Sequence, residues 1–246
     1  MLHTKQDGRV RILTIDRPSR RNAIDAELAS QLRAAFRAAD SDCEIGAIVL
    51  AGSPPGFCAG SDLKELATLD LEGMRGNEAE VAAMARSIAL ADKPVVAAVD
   101  GFALGGGFVL AISCDLVVTT GATRWHLPEV GLGWIPPWGL ATLAARVGMV
   151  AARRLAWGGE ALDGNEAYRL GVADYLAEGD VLSRALAIAA RLAALPAPAV
   201  AATKRYFAPA ACNNGEAADA MASRLFAANC QEETALATLK KFGVMK

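Results

Sequence analysis

The chain has 246 residues, a formal net charge of −2, 53% hydrophobic and 21% charged residues, and a mean hydropathy of +0.27. This composition excludes a disordered chain, which needs low hydrophobicity and high net charge. The lack of a basic excess argues against nucleic acid as a partner, and the apolar run at 102–112 is shorter than the roughly 20 residues that cross a bilayer, so no membrane partner is expected.

The cysteines and histidines favour a reducing compartment without a metal centre. Five cysteines form no C-x-x-C pair and are odd in number, which predicts free thiols in the cytoplasm. The first residues lack the apolar segment of a signal peptide, which favours the same location. Only His3 and His126 could supply imidazole ligands, so no metal is expected. The cysteines are Cys43, Cys58, Cys114, Cys212 and Cys230.

Short strand patterns alternate with helical ones in the first half of the chain, and this alternation predicts an α/β fold. In chain order the pattern predicts a strand at 9–15, a helix at 25–39, a strand at 45–51, a helix at 78–91, a strand at 94–99, a helix at 105–113 and a strand at 116–119. The second half reads as helices at 137–147, 149–157, 163–170, 180–195, 198–207, 216–228 and 232–242.

Two glycine-containing loops, 57–65 and 100–108, follow buried strands and lead toward helices. Helix N-termini expose backbone N–H groups and partial positive charge, and two such groups aimed at one point form an oxyanion hole. Glycines can also simply make tight turns. Neither loop matches the phosphate-binding, dinucleotide-binding or nucleophile-elbow motifs.

The two loops belong to a longer series of motifs. Phe57-Cys-Ala-Gly-Ser-Asp-Leu-Lys is followed by Lys93-Pro-Val-Val-Ala-Ala-Val-Asp-Gly-Phe-Ala-Leu-Gly-Gly-Gly. Further matches are Arg17-Pro-x-x-Arg-Asn-Ala, Ser113-Cys-Asp-Leu-Val, Leu127-Pro-Glu-Val-Gly-Leu-Gly and Thr203-Lys-Arg. In this order, over nearly the whole chain, they resemble the crotonase superfamily, also called enoyl-CoA hydratase/isomerase.

The resemblance implies a crotonase-like spiral of ββα units at 1–195 and a C-terminal helical region at 196–246 that mediates trimerisation. It also implies an acyl-CoA thioester substrate and a homotrimer or dimer of trimers. No separate cofactor is expected, because coenzyme A enters as part of the substrate. The alanine-rich helices after 180 carry more apolar surface than a small core can cover, which agrees with an assembly.

The resemblance also places the substrate-binding positions. The backbone N–H groups of Ser61 and Gly106 would form the oxyanion hole, and Gly106 lets an acyl group approach the backbone closely. Arg17, Arg20, Arg21 and Lys64 are candidate phosphate partners or ordinary surface cations. The full set of predicted CoA- and substrate-binding residues is Arg20, Arg21, Ala23, Ala59, Ser61, Asp62, Leu63, Lys64, Gly105 and Gly106.

The chain departs from the hydratase pattern at one of two glutamates. Hydratases of the superfamily carry one glutamate where this chain has Val109 and another where it has Glu129. Adding water to a C=C bond needs a base for the water and an acid for the α-carbon, whereas one carboxylate can move a proton between two carbons. The sequence therefore favours an enoyl-CoA isomerase with Glu129 as catalytic base.

Bulky residues around Glu129 predict an apolar or aromatic acyl pocket. Trp134 and Trp138 flank Pro136-Pro137, although either tryptophan could instead be core packing. His126 is a second candidate proton-transfer group, although a lone histidine is more often structural. The predicted pocket consists of Val109, His126, Pro128, Trp134 and Trp138.

Other activities remain open on the sequence. An enoyl-CoA or hydroxycinnamoyl-CoA hydratase-lyase, a decarboxylase and a thioester hydrolase could all use the same oxyanion hole. A catalytically inert acyl-CoA-binding scaffold is the alternative from another class; the missing carboxylate favours it and the retained Glu129 opposes it.

Overall fold

A computed structural model describes residues 1–212 and 215–243, with the side chains of 209–212 left undescribed. The strands are β1 Leu2–Asp7, β2 Val10–Ile15, β3 Ala47–Gly52, β4 Val95–Val99, β5 Phe102–Leu104, β6 Leu116–Thr120, β7 Arg124–His126 and β8 Tyr175–Ala177. The helices are α1 Ala26–Ser41, α2 Leu63–Leu66, α3 Leu71–Leu90, α4 Gly106–Ile112, α5 Glu129–Leu132, α6 Leu140–Val147, α7 Met149–Ala156, α8 Gly164–Arg169, α9 Val181–Ala193, α10 Ala197–Cys212, α11 Gly215–Asn229 and α12 Glu233–Phe242.

Six strands form the main sheet in the order β1-β2-β3-β4-β6-β8. Only the β1–β2 pair is antiparallel, and every other pair in this sheet is parallel. Strands β5 and β7, which follow β4 and β6 in the chain, form a separate two-stranded parallel sheet. This second sheet leads directly into α4 and α5, which carry the candidate site.

The central strands are apolar throughout because both faces of the sheet are covered. All five residues of β4 are buried. One face packs against α1, α3 and α4 in the larger core, and the other packs against α9 in a second cluster. The α/β class and the four strands predicted at 9–15, 45–51, 94–99 and 116–119 are confirmed as β2, β3, β4 and β6.

Several elements differ from the sequence-based expectation. Strand β1 was missed because it is an edge strand whose residues are almost all exposed, so it shows no apolar alternation. Strands β5, β7 and β8 have three residues each, which is too short for a periodic signal. Helix α3 begins at Leu71, not at 78, because the Asp70 side chain caps it by accepting a 2.7 Å hydrogen bond from Gly73 N–H.

The C-terminal helices pack on the rest of the chain. Helices α10 and α11 contact α3 and α6, and α12 contacts α2 and α5. Lys204 ties α10 to the sheet, because its Nζ lies 2.6 Å from the Asp115 carboxylate, which also accepts a 2.7 Å hydrogen bond from Val95 N–H. The division at 195/196 and the trimerising role of the helices stay predictions.

Two further observations concern the cysteines and the helix lengths. Cys43, Cys58, Cys114 and Cys230 are free thiols, and Cys212 lies outside the described side chains. Within the described residues, no single helix is both long and apolar enough to span a bilayer; α9 and part of α10 reach that length together but bend by 110° between them.

Candidate active site

The loop at 57–62 is held between two other segments by backbone hydrogen bonds. Leu104 N–H donates to the Cys58 carbonyl oxygen at 3.0 Å, and Ile24 N–H donates to the Gly60 carbonyl oxygen at 2.8 Å. This pairing brings Ser61 next to the start of α4. A Cβ built on Gly106 would lie 3.6 Å from the Ser61 nitrogen. The two loops that the sequence singled out therefore meet.

The N–H groups of Ser61 and Gly106 are free to bind an external acceptor. Gly106 is the first residue of α4, so its N–H has no partner within the helix. Ser61 lies in an isolated bridge where Gly60 and Asp62 make the backbone bonds. Within the described residues neither N–H donates a hydrogen bond, which leaves two neighbouring backbone donors without a partner.

Glu129 is buried at the first position of α5, immediately after Pro128. It is 6% exposed, and its Oε2 has no hydrogen-bond partner among the described residues. Its Oε1 lies 2.9 Å from the position of a Cβ built on Gly105, so the carboxylate sits beside the turn that precedes Gly106. Burial, with a smaller contribution from the nearby Glu78 carboxylate, raises the pKa of Glu129 to about 7.

A cavity of about 80 Å³ joins these groups. Ten of the predicted site residues line it, and they are Ala59, Ser61, Leu63, Gly105, Gly106, Val109, Pro128, Glu129, Trp134 and Trp138. Both tryptophans are nearly fully buried, and Trp134 stacks edge-on against Phe226 at a centroid distance of 6.0 Å. The walls are therefore largely apolar and aromatic.

Five predicted substrate-binding residues lie outside this cavity. Arg20 and Lys64 are exposed, and Ala23 is buried. The Arg21 guanidinium lies 4.6 Å from the centre of the Phe102 ring. The Asp62 carboxylate caps α2 by accepting a 3.1 Å hydrogen bond from Lys64 N–H.

The motif at 17–23 holds the loops in place. Arg17 forms ion pairs with Asp25 and Asp62, and its guanidinium also donates to the Ala23 carbonyl oxygen, so it is not a free phosphate partner. Asn22 is fully buried, and its amide donates to the carbonyl oxygens of Ser53 and Gly56 at 2.7 and 2.6 Å. Arg17 and Asn22 therefore hold the backbone of the segments next to the cavity in position.

The prediction that His126 lines the acyl pocket is corrected. His126 is not among the residues around the cavity. Its imidazole Nε2 donates to the Gly158 carbonyl oxygen at 3.0 Å, and its own carbonyl oxygen accepts from Gly105 N–H at 2.9 Å. These two hydrogen bonds fix the end of β7, and His126 does not line the cavity.

Sequence reasoning missed the contribution of the C-terminal helices. The Ile135 N–H donates to the Asn229 side chain at 3.1 Å, and the Gly139 N–H donates to Asp219 at 2.8 Å. Thr238 of α12 donates to the Leu132 carbonyl oxygen at 2.9 Å. Helices α11 and α12 therefore hold the segment that carries both tryptophans, and nothing local in the sequence shows which loop a distant helix contacts.

Sequence reasoning also missed Glu78, a second carboxylate on the same cavity. It is 2% exposed, and its Oε2 accepts a 2.8 Å hydrogen bond from the Trp138 indole N–H. Burial raises its pKa, against the opposing effect of hydrogen bonds from Ser61 and Trp138. The signal was available, because Glu78 falls at helical spacing among the buried residues Met74, Val81, Ala82 and Ala85 of α3.

Two unbonded backbone N–H groups and a buried carboxylate on one cavity form an arrangement that can stabilise an oxyanion and move a proton. The comparisons with known proteins agree with an enzyme of this kind. The family model described as enoyl-CoA hydratase/isomerase matches residues 5–243.

Individual relatives cover most of the chain. A Rhizobium meliloti protein named "Probable enoyl-CoA hydratase" is 40% identical, over 80% of this chain and 77% of its own length. The 2,3-dehydroadipyl-CoA hydratase of Escherichia coli is 37% identical, over 78% of this chain and 75% of its own length. The crystal structure of an enoyl-CoA hydratase/isomerase from Mycobacterium paratuberculosis is 27% identical and superposes with a TM-score of 0.87, over 98% of this chain and 97% of that one.

The chain belongs to the enoyl-CoA hydratase/isomerase family, and its fold is that of the crotonase superfamily.

Proposed function

We propose that the chain moves a proton along the acyl group of a CoA thioester and isomerises a 3-enoyl-CoA to the 2-enoyl-CoA. The observation that supports this proposal best is the unpartnered, buried Glu129 carboxylate beside the free N–H groups of Ser61 and Gly106. A base with a pKa near the working pH combines the ionised form with enough basicity to remove a carbon-bound proton.

In the proposed reaction the thioester carbonyl oxygen accepts hydrogen bonds from the N–H groups of Ser61 and Gly106. The ionised Glu129 takes a proton from the α-carbon, and the electron pair of that C–H bond becomes part of an enolate whose oxygen the two N–H groups stabilise. The same carboxylic acid then returns the proton at the γ-carbon, and the double bond shifts into conjugation. The thioester is the electron sink, so the step needs no further cofactor.

Binding of the CoA portion is proposed for three exposed cations in the segments next to the cavity-lining loop. Arg20 and Lys64 are solvent-exposed and carry no ion pair among the described residues, so they suit phosphate groups. Arg21 stacks on Phe102 and keeps its guanidinium at the surface. Ala59, Leu63 and Gly105 line the cavity itself and are proposed to contact the part of the substrate next to the thioester.

Hydration of a 2-enoyl-CoA is the second candidate function. Two observations favour it: the named relatives are hydratases, and the cavity carries Glu78 beside Glu129.

One activity screen tests the proposed functions against the alternatives. Purified protein is offered 3-enoyl-, 2-enoyl-, hydroxycinnamoyl- and malonyl-type CoA esters, and product formation is followed by chromatography. We expect turnover of the 3-enoyl ester. Turnover of only the hydroxycinnamoyl ester would identify a hydratase-lyase, and turnover of only the malonyl ester a decarboxylase. Tight binding of CoA esters without any turnover would identify an inert scaffold.

Isomerisation is expected to depend on pH with an acidic limb near neutrality. The base must be ionised, and burial raises the pKa of Glu129 to about 7. The rate kcat/KM should therefore rise about tenfold per pH unit below that value and level off above it. A rate that is flat between pH 5.5 and 8 would contradict the assignment of Glu129 as base.

We propose that the chain assembles as a homotrimer or a dimer of trimers. Large apolar side chains are exposed on the second half of the chain, including Trp157, Tyr206 and Phe207 at 68, 78 and 62%. A mostly apolar groove of about 690 Å³ also opens between α3, α6 and α10. Sedimentation at micromolar protein is expected to show three or six subunits, and a monomer would contradict the proposal.

A further inference from the structure

The cavity contains a carboxylate that the proposed isomerisation does not use. Glu78 lies in the middle of α3, far from the two glycine loops in sequence, yet it lines the same cavity as Glu129. A carboxyl group that is 2% exposed is costly to bury unless it is hydrogen-bonded. The Trp138 indole N–H, at 2.8 Å, and the Ser61 hydroxyl offset this cost by donating hydrogen bonds to the Glu78 carboxylate.

The surroundings of Glu78 match the positions at which this chain departs from the hydratase pattern. Val109 stands where hydratases carry a glutamate, and it lines the cavity together with Glu78. Trp138 and Ser61, two further unusual residues, are the two hydrogen-bond donors to the Glu78 carboxylate. The cavity thus has no carboxylate on α4, at Val109, but it has one on α3, at Glu78. The hydrogen bonds from Trp138 and Ser61 fix the orientation of the Glu78 carboxylate.

Glu78 also contacts a residue of the proposed oxyanion hole. The Ser61 hydroxyl donates a hydrogen bond to Glu78, so a thioester held by the Ser61 N–H would have its carbonyl group in the cavity that Glu78 lines. The α-carbon is one bond from that carbonyl carbon. The Glu129 carboxylate lines the same cavity from α5, beside Gly105.

We propose that Glu78 is a second catalytic carboxylate, which protonates the α-carbon while Glu129 activates water, so that this cavity hydrates a 2-enoyl-CoA. This inference rests on the proposed function, because it uses the same oxyanion hole and the same base. Two carboxyl groups in one small buried cavity titrate as a pair, because two negative charges so close together repel each other. The state in which the pair shares one proton is therefore favoured over the doubly ionised state. Hydration requires the form of the pair in which this proton is on Glu78 and Glu129 is ionised.

The hydration step balances without any further reactant. A water molecule loses a proton to Glu129 as its oxygen forms a bond to the β-carbon, and the C=C electron pair moves into an enolate held by Ser61 and Gly106. Glu78 then gives its proton to the α-carbon and becomes ionised. The proton on Glu129 passes to Glu78 through the next bound water. The product is the 3-hydroxyacyl thioester.

The test compares two reactions in the same variants of the full chain. Hydration is measured with 2-butenoyl-CoA, and isomerisation is measured with a 3-enoyl-CoA. Glu78→Gln keeps an oxygen that can accept from Trp138 but has no proton to transfer at this step. We expect it to lower hydration by about 10²–10⁴-fold, the usual contribution of one acid–base group, and to lower isomerisation by less than about tenfold. Glu129→Gln should lower both.

Glu80→Gln is the matched control, since Glu80 lies on the same helix but is exposed and pairs with Arg33 outside the cavity. It removes the same charge and should change neither reaction by more than about twofold. If Glu78→Gln does not fold, Glu78→Asp decides, because it keeps the carboxyl group but withdraws it by one methylene. It should lower hydration at least about tenfold more than isomerisation.

Three results would overturn the inference. Hydration unchanged in Glu78→Gln would show that Glu78 transfers no proton, and an equal loss of hydration and isomerisation would show a purely structural role. Isomerisation by the wild type without hydration would also remove Glu78 from catalysis while leaving the proposed function intact. Absence of both reactions in the wild type would contradict the proposed function itself, and the inference with it.

Discussion

The variant Glu129→Gln is expected to lose about 10²–10⁴-fold in kcat for isomerisation, because glutamine keeps the shape of the side chain but cannot accept the proton. Affinity for a non-reactive CoA ester should change little, since the N–H groups of Ser61 and Gly106 do not involve this side chain. Steady-state kinetics on the 3-enoyl ester and a binding titration measure the two quantities. An unchanged kcat would remove Glu129 from the mechanism.

Thermal unfolding of the same variant separates loss of function from loss of fold. The folded-state pKa of Glu129, about 7, lies above its ordinary value of 4.5, so the ionised carboxylate costs stability once the pH exceeds the unfolded value. That cost grows between about pH 4.5 and 7 and is then constant. Glu129→Gln should therefore gain stability relative to the wild type on going from pH 5 to pH 8, by at most about 3 kcal/mol. A lower relative stability at pH 8 would show that the carboxylate is stabilised by its surroundings.

Gly107→Ala is expected to destabilise the protein by about 3 kcal/mol or more, which corresponds to roughly 6–12 °C in Tm. A Cβ on Gly107 would lie 2.3 Å from the Cys58 carbonyl oxygen. That oxygen cannot move away easily, because it accepts the 3.0 Å hydrogen bond from Leu104 N–H that joins the two loops. Differential scanning calorimetry of the purified variant measures the effect.

Gly76→Ala is the control for this substitution. Gly76 lies within α3, and a Cβ there would meet nothing within 4 Å. It should gain about 0.5–1 kcal/mol, because alanine is the better helix former and loses less backbone entropy on folding. A Tm for Gly107→Ala equal to that of Gly76→Ala would mean that the loop at 57–62 can shift without loss.

The glycine motif at 105–107 predicted where a helix begins, but it did not predict the contacts that each glycine makes. The sequence predicted a turn leading into a helix with free N–H groups, and α4 does begin at Gly106. In the structure, a different neighbour restricts each of the three positions to glycine. Gly105 has a φ of 53° and contacts the Glu129 carboxylate, Gly106 faces the Trp138 ring, and Gly107 packs against the Cys58 backbone. These neighbours are distant in the chain.

His126 and Glu78 show the same limit for side chains. His126 directly precedes the Leu127-Pro128-Glu129 motif, and it was therefore one of the five predicted pocket residues. The fold turns His126 toward Gly158 and brings Glu78 to the cavity through the packing of α3. Helical periodicity marks Glu78 as buried, but only the position of α3 over Ser61 and Trp138 decides what it faces.

Apolar runs in the sequence by themselves determined the α/β class and the four central strands. The pairing of the two glycine loops and the choice of Glu129 came from the resemblance of the ordered motifs to the crotonase superfamily, because the glycines alone were equally consistent with tight turns. Only the tertiary structure decided that Asp219 and Asn229 hold the tryptophan segment and that a second carboxylate lines the cavity. Contacts between residues that are 60 or more positions apart, such as Trp138 with Glu78, depend on how helices pack on the sheet, and local periodicity carries no record of that packing.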